Sequence, residues 1–296
     1  MTSREIVVSA LNGLLPDRIP LSVYAGWREG IKSKIIQEYG SLINFMRKFN
    51  LDIVTGIFPR FPFGDLRGSN NRWTVGDYLH MNMIDPCSPG MLTHVWSNNL
   101  FLNVAEALKY HNSDIAVFAH VWGVFELLQF LFEKTDSSGI EDALVSMISE
   151  RQSTGLLFKR LAEWSAGCVE NAARAGVDAI ELSDDWGQQN TMLFSPELWR
   201  ELIFPATKII VDAAKKNNLP VILHSDGDIT MVLPGVKKLG FNGLHPVQES
   251  AGMSFEKARK ILGESFCIMG GLDVVSVAGM ASLYEVKTEV QRVFAI

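Results

Sequence analysis

Short apolar runs alternate with longer segments of helical spacing along most of the chain. Runs of this length, bounded by glycine, proline and aspartate, are typical of buried strands. The pattern predicts about seven strands, which cover residues 21–25, 51–58, 115–122, 177–182, 220–224, 243–247 and 266–269. The predicted helices cover residues 4–13, a stretch ending near 49, 100–111, 124–175 with a break at 136–139, 195–217, 230–239, 254–262 and 280–294.

Several helix ends carry their own signals. Gly13 and Gly240 stand where the helical spacing stops, as glycines at the C-terminal ends of helices do. Ser195 followed by Pro196 predicts an N-cap with proline in the first turn. We expect Pro205 to kink or restart that helix, because proline has no N–H to donate.

Strands that alternate with helices predict a parallel α/β protein, and their number favours a (β/α)8 TIM-type barrel over an open sheet. We expect a single domain over residues 1–296, with a long irregular segment at 59–99 that is either functional or a flexible excursion. The pattern does not reveal an eighth strand. The barrel is therefore incomplete at its C-terminus, or a strand is hidden in 59–100, or the polypeptide has been shortened.

Composition narrows the class of protein. The chain is 47% hydrophobic, with a formal net charge of −6 and no block of basic residues, so we expect no nucleic-acid partner. No apolar run reaches membrane-spanning length, which predicts a cytoplasmic protein without a membrane partner. The widely spaced Cys87, Cys168 and Cys267 predict neither a disulfide framework nor a zinc knuckle.

The predicted strand at 220–224 is followed directly by polar residues. It ends in His224, Ser225, Asp226 and Gly227, and the strand at 177–182 similarly runs into residues 183–187, which read SDDWG. Alternate residues of a strand share a face, so His224 should project with Asp226. The alternative is a strand followed by a plain Asp-Gly turn, with the histidine satisfied by a hydrogen bond.

The C-terminal strand ends of such a barrel face one mouth. The polar and aromatic residues expected there are Tyr24, Arg28, Arg60, His120, Trp122, Glu181, Ser183, Asp184, Asp185, His224, Asp226, His245, Gln248 and Asp273. Those assigned to substrate binding are Tyr24, Arg28, Trp122, Asp184, Trp186, Gln188, Gln248 and Asp273. His120 follows apolar residues, which favours a satisfied core histidine over a ligand. The stretch Asp184, Asp185, Trp186 and Gly187 is either a substrate clamp or a helix-capping turn whose tryptophan packs against the barrel rim.

Two chemistries fit the centre of this mouth. In the first, His224 and Asp226 hold a divalent metal together with Glu181 or Asp185, an arrangement that leaves a position open for substrate. Glu181, His224 and Asp226 are the set we assign as metal ligands. In the second, Asp185, His224 and Asp226 are the catalytic residues, and a carboxylate of raised pKa acts as an acid or base beside the imidazole.

Several short motifs follow one another in an order that resembles the uroporphyrinogen decarboxylase superfamily. They are residues 17–20 (DRIP), 183–187 (SDDWG), 195–199 (SPELW), 223–227 (LHSDG), 245–248 (HPVQ) and 270–273 (GGLD). The similarity is strongest from about 155 to 275 and covers most of the chain. It implies a (β/α)8 barrel with the site at its C-terminal mouth.

The sequence departs from both well-known branches of that superfamily. True decarboxylases carry an RQAGR segment after the first strand, where this chain reads VYAGW at 23–27, and their pyrrole-binding aspartate has no clear counterpart at 57–59. Corrinoid-dependent methyltransferases that act on thiols have His-x-Cys in strand five and a further cysteine near the C-terminus. This chain has Asp226 in place of the first of those cysteines, and a carboxylate is a harder ligand than a thiolate.

The resemblance therefore implies a corrinoid-linked methyltransferase or demethylase that moves a methyl group from a methoxy compound or methylamine towards a corrinoid protein. The implied cofactors are Zn²⁺ or another divalent metal and a corrinoid on a partner protein. The implied partners are a small-molecule methyl donor and that corrinoid protein, with a homodimer as a candidate assembly. The alternatives are a decarboxylase of a smaller acid and a non-catalytic tetrapyrrole- or corrinoid-binding protein.

Overall fold

The computed structural model of the chain describes residues 1–23, 29–64, 73–88, 90–92, 110, 112, 114–270, 272, 277 and 282–294. Its main sheet has six parallel strands in the order β1–β2–β3–β6–β7–β8. These are β1 (Ile53–Ile57), β2 (Ala116–Trp122), β3 (Ala179–Ser183), β6 (Val221–His224), β7 (Gly243–Val247) and β8 (Cys267–Gly270). The sheet curls into part of a (β/α)8 TIM-type barrel, which confirms the predicted fold class.

Helices surround the sheet. Their bounds are α1 (Ser3–Leu11), α2 (Glu29–Tyr39), α3 (Leu42–Lys48), α4 (Val75–His80), α5 (Val124–Phe132), α6 (Ile140–Ser149), α7 (Arg151–Ala175), α8 (Pro196–Leu198), α9 (Phe204–Lys216), α10 (Leu233–Leu239), α11 (Phe255–Leu262) and α12 (Leu283–Phe294). Within the described ranges, none of these helices combines the length and apolar character needed to span a bilayer.

The predicted strands match the structure from residue 51 onwards. The strand predicted at 21–25 is wrong over residues 21–23, which are irregular, and residues 24 and 25 lie outside the described part of the chain. Leu21 instead donates its backbone N–H to the buried carboxylate of Asp52 at 2.8 Å, and Arg18 pairs with the same carboxylate. This ion pair fixes the segment beside β1, together with the hydrogen bond from the Asp52 N–H to the Leu21 carbonyl at 2.8 Å.

The irregular segment at 59–99 contains α4 and turns in the part that the structure describes, and Arg160 donates to the carbonyls at the end of that helix. The helix predicted at 100–111 lies outside the described residues except for Tyr110, which is helical. Among the described residues, the main sheet has six of the eight strands of a closed barrel, and neither of these regions supplies another.

Local sequence explains how the predicted helices end and bend. Ser195 accepts a hydrogen bond from the Leu198 N–H as an N-cap, and Gly240 closes α10 with φ +88°. The bend expected at Pro205 is a π-helical turn at Trp199–Ile203, directly before that proline. The missing N–H of Pro205 breaks the regular ladder there. The helix predicted up to residue 49 is two helices, α2 and α3.

The central strands of the sheet are covered on both faces. Every residue of β2, β3 and β6 is buried, as expected for parallel strands covered on both sides. Phe118, Ala179 and Ile222 form the apolar inner floor together with Val7 and Leu11 of α1. Helix α1 therefore closes the N-terminal end of the sheet, and the polar ends of the strands lie at the opposite end.

Candidate active site

The inner face of the sheet changes from apolar to polar along each strand. Two residues beyond the floor, strand alternation places His120 on β2, Glu181 on β3 and His224 on β6. His245 on β7 is the register partner of His224. Four neighbouring strands therefore contribute one polar layer at the C-terminal end of the sheet, as the sequence predicted for the mouth of a barrel.

Glu181 and His120 form the deeper pair of this layer. Nδ1 of His120 lies 3.0 Å from Oε1 of Glu181, and both side chains are buried. Burial raises the pKa of Glu181, but the hydrogen bond from His120 and the nearby histidines outweigh burial and lower it to about 2. Burial lowers the pKa of His120. His120 also stacks on Phe58 at a ring distance of 4.1 Å, as its apolar flanks indicated, but its buried Nε2 has no hydrogen-bond partner among the described residues, so it is not the satisfied histidine that was predicted.

His224 and His245 form the second pair. Their Nδ1 atoms lie 2.8 Å apart, and their rings stack with centroids 5.0 Å apart. Burial, followed by the charge of His224, lowers the pKa of His245 to about 4. The sequence placed His245 at the mouth but did not predict that it would contact His224.

The three residues assigned to catalysis come together at the open edge of the layer. Asp185, His224 and Asp226 each offer a ligand atom, and these atoms lie within 4.8 Å of one another. Nε2 of His224 is 4.0 Å from Oδ1 of Asp185. The same oxygen accepts the backbone N–H of Asp226 at 2.8 Å. Partial burial raises the pKa of Asp226, while the charge of His224 lowers it and the charge of Asp185 raises it.

The structure thus separates the two carboxylates that the sequence left as alternatives for the third ligand. In the described chain, Asp185 meets His224 and Asp226, and Glu181 bonds to His120 in the deeper part of the polar layer. Strand alternation correctly put Glu181 on the inner face, but it could not reveal a partner on β2. The assignment of Glu181 as a ligand stays a prediction, and the geometry favours Asp185.

Two glycines bring the loops of this site into contact. A Cβ atom on Gly227 would lie 2.4 Å from the backbone N of Gln188, and one on Gly187 would lie 2.5 Å from the carbonyl O of Asp226. Between the two loops, Asp228 also donates its N–H to the Gln188 carbonyl at 3.0 Å. Gln188 belongs to a hairpin of two short strands, β4 (Gly187–Gln188) and β5 (Thr191–Met192), which the apolar pattern did not predict.

Asp184 and Trp186 form a helix-capping turn, which is one of the two alternatives that the sequence left open. Oδ1 of Asp184 accepts the backbone N–H groups of Phe125 and Glu126 at the start of α5, both at 2.9 Å. Oδ2 accepts the Trp186 indole N–H at 2.8 Å. Burial raises the pKa of Asp184 to about 7 although these hydrogen bonds lower it. Both side chains are fully buried, and Trp186 packs edge-on against Trp199, so neither reaches the mouth in this structure.

The remaining substrate-binding predictions divide into two groups. Trp122 is buried in the wall of the site and donates to the Pro59 carbonyl at 3.2 Å, Gln188 is exposed on the hairpin, and Gln248 reaches the Gly227 N–H at 3.4 Å. Gln188 and Gln248 both contact Gly227, next to Asp226, whereas Trp122 packs against His120. The other residues assigned to substrate binding lie outside the described part of the chain: Tyr24, Arg28 and Asp273.

Glu126 is a further acid that the sequence analysis missed. It lies in the first turn of α5, and its Oε2 atom is buried without a hydrogen-bond partner among the described residues. Burial raises the pKa of Glu126 well above its usual value, and the charges of Asp185 and Asp184 raise it further. No signal in the sequence marks Glu126, because only tertiary packing brings the start of α5 to the loop after β3.

The triad can hold a divalent cation or exchange protons. Two carboxylates and an imidazole suit zinc or iron and leave coordination positions open for substrate. The residues fit such an ion, because their ligand atoms already lie close together at an accessible rim. An acid of raised pKa beside a histidine is equally the arrangement of general acid–base sites.

Comparison with known proteins connects this site to a family. The model of the family described as "Uroporphyrinogen decarboxylase (URO-D)" matches residues 98–295. The chloroplastic uroporphyrinogen decarboxylase 2 of Oryza sativa subsp. japonica is 24% identical over 164 residues, which are 55% of this chain and 40% of that protein. The uroporphyrinogen decarboxylase of Chlorobium luteolum is 27% identical over 169 residues, 56% of this chain and 45% of that protein.

A solved structure, a methyltransferase from Methanosarcina mazei, superimposes with a TM-score of 0.57 over 90% of this chain and 81% of that one, at 16% identity. At that identity the two proteins share a fold. The matches to the curated relatives span less than half of those relatives' lengths. The family match, in contrast, covers more than half of the chain and includes every strand of the site from β2 to β8. The chain therefore belongs to the uroporphyrinogen decarboxylase family.

Proposed function

We propose that this protein is a methyltransferase or demethylase that holds a divalent metal on Asp185, His224 and Asp226. Its substrate is a methoxy compound or a methylamine, and the methyl group passes to a corrinoid carried by a partner protein. The observation that carries the proposal is the convergence of three ligand atoms within 4.8 Å at the ends of β3 and β6.

The ligand types favour this chemistry over thiol activation. Carboxylate oxygens are harder than thiolates, so the site suits zinc or a harder cation and a substrate with an oxygen or nitrogen donor. When bound, such a cation acts as a Lewis acid that withdraws charge from the ether oxygen or amine nitrogen and eases departure of the methyl group. The match in fold to a methyltransferase is consistent with the proposal.

Residues of the protein itself position the ligands, supply a proton and bind the substrate. The Asp226 N–H holds Asp185 in place, and the stacked imidazole of His245 orients His224. The oxygen or nitrogen that loses its methyl group must take up a proton, and Glu126, an acid of raised pKa near Asp185, is suited to supply it. Gln188 and Gln248, which both contact Gly227 beside the triad, offer amide groups to bind substrate.

Decarboxylation of uroporphyrinogen fits these residues poorly. An octacarboxylate substrate requires a positively charged site, whereas the described mouth carries the two carboxylates of Asp185 and Asp226. A smaller acid, bound by the metal through its carboxylate, remains the second candidate because the family match points to decarboxylases.

Methyl transfer to reduced cobalamin tests the proposal directly. Purified protein loaded with Zn²⁺ is mixed with cob(I)alamin and a panel of methoxy compounds and methylamines, and methylcobalamin is followed by its absorbance. We expect transfer from at least one donor, with a loss of at least about 100-fold in His224→Ala. Asp212→Asn, which removes an exposed carboxylate from α9, is the matched control and should retain full activity. Carbon dioxide release from small acids without methyl transfer would contradict the proposal in favour of the second candidate.

A further inference from the structure

His224 and His245 contact each other through their ring nitrogens. Nδ1 of His224 and Nδ1 of His245 lie 2.8 Å apart, which is hydrogen-bond distance. A hydrogen bond between two ring nitrogens requires one N–H and one lone pair, so one proton lies between them. In a neutral pair the two rings therefore take complementary tautomers. If Nδ1 of His224 carries the proton, its Nε2 has the lone pair, and if Nδ1 of His245 carries it, Nε2 of His224 bears a hydrogen.

The choice between these tautomers decides what the triad can do, because Nε2 of His224 is the nitrogen that faces Asp185. A lone pair on Nε2 can bind a cation, whereas a hydrogen on Nε2 can only be donated. A partner on the far nitrogen of a ligand histidine commonly fixes which nitrogen is free to bind metal.

We propose that His245 is a positioning residue that accepts the Nδ1–H of His224 and thereby presents the Nε2 lone pair of His224 to a divalent cation. The inference rests on the proposed function and adds His245 to the triad of Asp185, His224 and Asp226. Conversion of the pair from the other tautomer to this one leaves the total number of protons on the two rings unchanged. His224 loses its Nε2 hydrogen to solvent, His245 gains one from solvent at Nε2, and the shared proton passes from His245 to His224.

The surroundings hold the pair in this arrangement. His224 and His245 are register partners on adjacent parallel strands, and the N–H of Ser225 donates to the His245 carbonyl at 2.9 Å. The two ring planes are inclined by 26° with centroids 5.0 Å apart, so rotation of either ring would break the contact between the Nδ1 atoms. Glu181 and His120 lie below the pair, and Asp185 and Asp226 lie at its open edge. The charge of Glu181 also acts on His245, and the 2.8 Å contact joins the two Nδ1 atoms.

Matched substitutions of His245 distinguish the effect of its hydrogen bond to His224 from the effect of its packing. His245→Phe keeps an aromatic ring for stacking but cannot accept a hydrogen bond. His245→Gln supplies an amide oxygen that can accept the Nδ1–H. We expect His245→Phe to weaken Zn²⁺ binding, measured by calorimetric titration, about 10- to 100-fold, and His245→Gln to recover part of that loss. His80→Gln changes an exposed histidine at the end of α4 and should bind Zn²⁺ as the wild type does.

A spectroscopic measurement on the wild type makes the test independent of how the variants fold. With ¹⁵N-labelled histidine, we expect a nitrogen–nitrogen coupling across the shared proton, and in the Zn²⁺-loaded protein a one-bond proton coupling at Nδ1 of His224. Absence of both couplings overturns the inference, as does wild-type Zn²⁺ affinity in a folded His245→Phe variant. If the wild type shows the internitrogen coupling but binds no Zn²⁺, the proposed function fails and the metal-presenting role of His245 fails with it. If it binds Zn²⁺ but lacks the couplings, this inference alone fails.

Discussion

The backbone N–H of Asp226 donates a 2.8 Å hydrogen bond to Oδ1 of Asp185 and so joins the loops that follow β6 and β3. Two acidic side chains would otherwise repel each other at this rim. The peptide N–H holds the Asp185 carboxylate at a fixed place and partly offsets its charge. His224 lies between the two loops, with Nε2 4.0 Å from the same oxygen. The triad is therefore positioned before any ligand arrives.

The contact between the two loops should depend on Gly227. A Cβ there would lie 2.4 Å from backbone atoms of Gln188 and Gly187, at a φ of +81°. Gly176 has nearly the same φ, +82°, but nothing within 4 Å of its Cβ position. Gly176→Ala should cost about 1 kcal/mol of unfolding free energy from backbone strain alone.

We expect Gly227→Ala to cost about 2 kcal/mol more than this control and to weaken Zn²⁺ binding, because the loops must separate. Urea denaturation and calorimetric titration measure the two effects. Equal losses of stability in the two variants would show that the close approach of the loops contributes nothing.

Asp184 should act as a cap for α5. Asp184→Ala leaves the N–H groups of Phe125 and Glu126 and the indole N–H of Trp186 without their acceptor. We expect a loss of about 2–4 kcal/mol in unfolding free energy. The exposed Asp212, changed to Ala, should cost little stability and serves as the comparison. Weaker substrate or metal binding by Asp184→Ala at unchanged stability would instead favour the substrate clamp.

Glu126 should make the stability of the protein fall as the pH rises. Burial, then Asp185 and Asp184, hold the pKa of Glu126 in the folded state well above that in the unfolded state. The folded state therefore keeps a proton that the unfolded state has released, and stability is lost from the unfolded-state pKa up through the folded-state pKa.

Glu126→Gln removes this ionisation. We expect the variant to match the wild type near pH 4 and to exceed its unfolding free energy near pH 8, as measured by urea denaturation at both values. A difference between the two proteins that stays constant with pH would contradict the raised pKa.

The sequence predicted the barrel class well because each strand is a short apolar run that ends in polar residues. It also placed His224, Asp226 and Asp185 at one mouth, since strand alternation and parallel topology require this. Alternation could not distinguish Glu181 from Asp185 as a partner of His224. That choice depends on His120, which lies on another strand and pairs with Glu181.

The pattern of apolar and polar residues could not predict several other features, for similar physical reasons. The hairpin of β4 and β5 has strands of two residues each, too short for any periodicity to show. Glu126 and the pairing of His245 with His224 arise from contacts between elements far apart in sequence. Such contacts decide the chemistry of the site, whereas local patterns decide the elements that carry it.

Titration with Co²⁺, followed by its visible absorption, tests the metal centre most directly. The account predicts that the wild-type protein binds a single equivalent with a visible band, that excess Zn²⁺ displaces the band, and that His224→Ala and Asp226→Asn abolish it. The Asp212→Asn control should bind as the wild type does. A folded wild-type protein that binds no Co²⁺ or Zn²⁺, or a band that persists in both triad variants, would contradict the central claim.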